Sequence, residues 1–126
     1  MKKRLFLVVF LFLALFLCSC KKTTSENGEI EVRVYNFDSE EVFSGKINFT
    51  KDDNLVDLLK NHETIKMKVE EFSFGYFIVE MVGINANNYQ NAFWNIKVNG
   101  EDSLVGVNEI KLHDGDVIEF ALISWE

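Results

Sequence analysis

The chain holds two histidines, two cysteines and one tight acidic run, so few of its side chains could do chemistry. His62 and His113 fall in different expected loops, and the sequence places no Ser, Thr or Lys beside either. A catalytic dyad needs nucleophile and base within hydrogen-bond reach, so no enzyme activity is expected. His113-Asp114-Gly115-Asp116 gathers one imidazole and two carboxylates. That is too few ligands for calcium and matches no zinc spacing, so the run reads as a turn and no metal is expected. The remaining candidates would bind rather than react. Trp94 is expected in a strand that follows a polar loop, and Phe93 must face the other side of the sheet, so one of the two is exposed. An exposed aromatic ring offers rigid contact area to a flat ligand, whereas a buried one belongs to the core. Asn85, Asn87, Asn88, Tyr89 and Asn91 would add amide and hydroxyl groups to such a site, or would only close a solvated turn. The candidate ligand-binding set is therefore Trp94, Phe93, Asn85, Asn88 and Tyr89.

The cysteines do different work. Lys2, Lys3 and Arg4 precede an unbroken apolar run, Leu5 to Leu17. Thirteen residues are too few to cross a bilayer comfortably as a helix, which needs about 20, and they fit a secretory signal peptide. The run closes on Leu17-Cys18-Ser19-Cys20, which resembles a bacterial lipobox with Leu at −3 and a small residue at −1. Residues 1–19 are then the lipoprotein signal peptide, and Cys20 is the lipidated first residue of the mature chain. Two or more acyl chains anchor a protein stably, so the expected location is the cell membrane, on its extracytoplasmic side. Cys18 leaves with the signal and Cys20 becomes a thioether, so no disulfide and no cysteine nucleophile is expected in the folded part. The full chain has a net charge of −7; without Lys2, Lys3 and Arg4, 10 basic residues face 20 acidic ones, a net charge of −10. Nucleic acid is not an expected partner for such a surface.

The elements that must position Trp94 and its loop follow the signal. Residues 20–28, Cys20 and then Lys-Lys-Thr-Thr-Ser-Glu-Asn-Gly, hold no large apolar side chain and read as a tether, leaving 29–126 as one domain. Ile30, Val32 and Val34 alternate with Glu31, Arg33 and Tyr35, and Phe43 to Phe49 alternates again after Asp38-Ser39-Glu40-Glu41. This predicts an antiparallel hairpin. Thr50-Lys51-Asp52-Asp53 resembles a capping box and leads into Leu55, Val56, Leu58 and Leu59, a helix of two to three turns. Ile65, Met67 and Val69 alternate as a third strand, and Tyr76 to Val82 gives a fourth after Gly75. Gly83 to Asn91 is a polar loop, Phe93 to Val98 a strand ending at the turn Asn99-Gly100, Val105 to Leu112 partly extended, and Val117 to Trp125 the last strand. The expected class is α+β, a mostly antiparallel sheet packed on one short helix.

The order Gly83-Ile84-Asn85, Phe93-Trp94, Val98-Asn99-Gly100, Gly106 and Asp114-Gly115-Asp116-Val117-Ile118-Glu119-Phe120 resembles a bacterial family of unknown function. That family is similar to the C-terminal β-grasp domain of transcobalamin and intrinsic factor. The resemblance spans about Glu29 to Trp125 and implies a β-grasp, ubiquitin-like fold. In those transporters this domain closes over one face of a bound corrinoid, and a helical barrel forms the other half of the site. The function expected is a non-enzymatic binding module for cobalamin or another small molecule, with no resident cofactor. The alternative is a protein–protein interaction or adhesion module facing an envelope protein.

Overall fold

Alternation sets the first strand, because a period of two sends every second side chain to one face. Ile30, Val32 and Val34 are fully buried, while Glu31, Arg33 and Tyr35 stay on the half-exposed face. The computed structural model describes residues 27–125; the expected signal peptide, Cys20 and the expected tether as far as Glu26 lie outside the described residues. β1 (Asn27–Tyr35) starts two residues ahead of the expected boundary. Asn27 and Gly28, read as the end of the tether, instead pair with Thr50 and Phe49 of β2 (Glu41–Thr50). A Cβ at Gly28 would stand 2.7 Å from Asp114 Cβ and 2.9 Å from the Phe49 ring. The glycine is a site of close approach, and its polar neighbourhood in sequence concealed that.

β1 and β2 form the expected hairpin. Asn36 closes it, its side-chain oxygen accepting from the amides of Asp38 and Glu40 at 3.0 and 2.9 Å. β8 (Val117–Ser124) buries Ile118, Phe120 and Leu122 and runs parallel to β1, with Val32 opposite Ile118 and Val34 opposite Phe120. A parallel pair needs a long crossover, and here most of the domain is that crossover. β6 (Ala92–Val98) lies antiparallel to β8, and β7 (Glu101–Asp102) ends a five-stranded sheet of order β2-β1-β8-β6-β7. β3 (Lys68–Phe72), β4 (Gly75–Met81) and β5 (Ile84–Asn85) make a separate three-stranded antiparallel sheet. The class is α+β and mostly antiparallel as expected, but its strands divide between two sheets.

The one α-helix among the described residues, α1 (Leu55–Lys60), starts later than the capping pattern implied and is shorter than two turns. Asn54 is its cap: Oδ1 accepts from the Asp57 amide at 2.9 Å and Nδ2 donates to the Asp57 carboxylate at 2.9 Å. Thr50 and Asp53 pair instead in a tight turn, the Thr50 amide donating to Asp53 Oδ2 at 2.8 Å. Two consecutive boxes, Thr50 to Asp53 and Asn54 to Asp57, compete in sequence, and the second wins because it places Leu55, Val56 and Leu59 in the core. The expected strand from Ile65 begins only at Lys68, since Lys66 has a left-handed φ of 43° that breaks the extension. Ile65 and Met67 are still buried. The Met67 amide donates to Leu59 O at 3.0 Å and the Val82 amide to Ile65 O at 2.8 Å, so the segment is a core link between α1 and β4. The expected polar loop contains β5 and a 3₁₀ turn (Ala86–Asn88), and Val105–Leu112 holds a second 3₁₀ turn (Val107–Glu109) that buries Val107.

Candidate functional site

The acidic turn is a brace. Asp114 Oδ1 accepts from the Glu29 amide at 2.9 Å, and the Gly115 amide, at a φ of 87°, donates to Glu29 O at 2.9 Å. Asp116 is buried and accepts from Asn99 Nδ2 at 2.9 Å and from the His113 amide at 3.1 Å, while Asn99 Oδ1 takes the Val117 amide at 2.9 Å. The Asn99-Gly100 turn and the Asp114-Gly115-Asp116 turn are thus two halves of one lock that pins β8 between β1 and β6. His62 is similarly committed, its Nδ1 accepting from the amides of Thr64 and Ile65 at 3.1 and 3.2 Å. Among the described residues no group of three or more His, Cys, Asp or Glu side chains is placed to hold a metal ion.

The concavity lies elsewhere. A cavity of about 630 Å³ opens between β4, the N-terminal half of β6 and the end of β8, a size that suits a small-molecule ligand. Its walls are Tyr76, Phe77, Ile78 and Val79 of β4, Ala92, Phe93, Trp94 and Ile96 of β6, and Trp125. Phe72 and Phe74 bring in the hairpin that joins β3 to β4. Phe72 and Phe74 stack at 5.4 Å with rings 18° apart, and Phe77 meets both edge-on at 5.4 and 5.8 Å. These three rings stay exposed, Phe74 at 75%. Across the cavity, Trp125 is 61% exposed and sits 6.2 Å from Phe93.

Phe93 and Trp94 point to opposite faces of β6 as their alternation required, Trp94 at 6% exposure and Phe93 at 37%. Both still border the cavity. The reason is that β7 pairs only with Lys97 and Val98, so the first half of β6 has no strand on that side and the cavity meets an open edge. Trp94 therefore serves core and cavity together, and its buried indole Nε1 has no hydrogen-bond partner among the described residues. The other three sequence candidates are not brought to the cavity wall. Asn85 caps the 3₁₀ turn by accepting from the Asn87 amide at 2.8 Å, Asn88 is exposed, and Tyr89 stacks on Phe37 at 5.1 Å. From that loop Ala86, the buried first residue of the 3₁₀ turn, and Asn87 reach the cavity instead.

Sequence reasoning missed Phe72, Phe74, Phe77 and Trp125. A signal was present: Phe72-Ser73-Phe74-Gly75-Tyr76-Phe77 puts four aromatic rings around a glycine turn, where polar residues are the rule. Charge is sparse on the lining, with Glu70 its one ionic side chain. Glu71, opposite Tyr76 in the β3–β4 ladder, raises the Tyr76 phenol above its ordinary pKa, first by accepting its hydrogen bond and then by its negative charge.

A family model described as a domain of unknown function, DUF4430, matches residues 52–124, more than half of the chain. The chain belongs to this family. The matched span holds α1, both turns of the lock and every wall of the cavity except Trp125. No curated protein matches the chain. Among the solved structures that share its fold are two of low sequence identity. One is a protein from Ruminococcus gnavus ATCC 29149 provisionally named as metal binding, with a TM-score of 0.63 and 21% identity over 79% of this chain and 99% of that one. The other is haptocorrin in complex with Cbi, with a TM-score of 0.67 and 18% identity over 84% of this chain. The chain spans 27% of the length of haptocorrin.

Proposed function

We propose that this chain is a membrane-anchored, extracytoplasmic and non-enzymatic binding module of β-grasp type that holds a small molecule in the aromatic cavity. The observation that carries the reading is the cavity itself: about 630 Å³, walled by tryptophan, tyrosine and phenylalanine, and rimmed by rings left in water. Exposed aromatic rings cost free energy unless a partner covers them, and several converging on one concavity are a recognised mark of a binding site. The fold shared with haptocorrin, solved with Cbi, makes a corrinoid the first ligand to try. Strand register sets where the cavity would lie relative to such an anchor. Asn27, where the tether arrives, pairs with Thr50 at one end of the sheet, while Ala92 pairs with Ser124 beside Trp125 at the other. A ligand in the cavity would be held on the side away from the anchor.

Residues 21–126 contain the whole described core and suit calorimetric titration with cobalamin and cobinamide. Saturable binding, weakened by Phe74→Ala and Trp125→Ala, is expected. No heat up to millimolar ligand would remove corrinoids from the reading. The exposed Phe72, Phe74 and Phe77 cluster favours a second reading, docking of an envelope protein on the hairpin, which predicts capture of a protein and no small-molecule heat.

A further inference from the structure

Resting on the reading of the cavity as a small-molecule site, we infer that it selects organic cations with a flat or compact apolar body, and that Glu70 is their counter-charge. Among the described residues the lining carries no Lys, Arg or His, so nothing in it could neutralise a phosphate, sulfate or carboxylate, and burying an unpaired anion there is heavily penalised. What the lining does offer suits positive charge. The faces of Trp125, Phe93, Phe74, Tyr76 and Phe77 are electron-rich, and a cation over such a face is attracted by the ring quadrupole. Glu70 lies opposite Phe77 in the β3–β4 ladder, which puts a carboxylate beside the ring cluster, and it makes no ion pair among the described residues. By contrast Glu80, further along β4, is already held by Lys68 at 3.3 Å. The chain as a whole is acidic, so its long-range field attracts cations and repels anions before contact is made.

Three probes with one ring system separate charge from shape: (1-naphthylmethyl)trimethylammonium, 1-naphthylmethanol and 1-naphthylacetate, each titrated into residues 21–126 and followed by calorimetry. The ammonium is expected to bind about two- to thirtyfold more tightly than the alcohol, the range of a cation over aromatic faces, with the acetate weakest. Glu70→Gln should cut the ammonium's advantage and leave the alcohol unchanged, and raised salt should narrow the gap. Phe74→Ala should weaken both. If the alcohol or the acetate binds as well as the ammonium and Phe74→Ala weakens it, charge selection is wrong while the small-molecule site stands. If none of the three binds, selection and site fall together.

Discussion

The lock between the two turns gives the sharpest test of how this domain is held together. Asp116 is 9% exposed, and its carboxylate takes two hydrogen bonds, from Asn99 Nδ2 at 2.9 Å and the His113 amide at 3.1 Å. Asp116→Ala leaves both donors without their acceptor. Bonds to a charged acceptor contribute about 1.5–3 kcal/mol each, and the two share one group, so the expected loss is about 2–4 kcal/mol. A domain of this size has roughly 5–15 kcal/mol in total, so the variant should fold but unfold at a clearly lower urea midpoint with an unchanged slope. Asp116→Asn should recover part of the loss: its oxygen can still accept from Asn99, but its amide group confronts the His113 N–H. Asn99→Ala combined with Asp116→Ala should show a coupling energy of about 0.5–3 kcal/mol, since the two side chains act as one unit. A loss below about 0.5 kcal/mol, or singles that simply add, would refute the lock and reopen the acidic turn as a functional site.

Three further outcomes are expected. Gly28→Ala places a Cβ 2.7 Å from Asp114 Cβ and should lower the unfolding temperature measurably, whereas a true tether residue would tolerate it. Trp94→Ala should cost about 3–5 kcal/mol by opening the core, so a ligand-binding loss in that variant would report folding, and circular dichroism melts should show it. Glu71→Gln should return the Tyr76 phenol toward its ordinary pKa, followed by ring chemical shifts against pH. The sign is fixed: a raised phenol value means the folded chain holds that proton more tightly, so its stabilisation is complete below about pH 10 and fades as pH rises through the folded value. An unchanged titration in Glu71→Gln would show that some other group shifts Tyr76.

The aromatic site was half legible in the sequence. Phe93 and Trp94 stood out because strand alternation guarantees that adjacent residues divide between two faces. Nothing local says that β7 would stop at Lys97 and Val98 and leave the rest of β6 open, and that gap is what lets both rings reach one cavity. Asn85 and Tyr89 looked like binding groups because a polar loop beside an aromatic strand is a common arrangement. Their side chains are consumed by contacts at distances the sequence cannot show, one with Asn87 and one with Phe37.

The sequence by itself determined the strands with clean alternation, β1, β2 and β8, and the α+β class, since hydrophobic period and turn residues act over a few positions at a time. It also carried the lock motif, though as spacing without a stated role. Only the tertiary structure decided the parallel pairing of β1 with β8, whose Glu31 and Val117 are opposite despite lying at far ends of the domain. It likewise decided the break at Lys66, the division into two sheets and the gathering of Phe72, Phe74, Phe77 and Trp125 around one cavity. Such pairings are chosen by how all the buried faces fit together after long loops have closed, and loop closure is nearly indifferent to sequence.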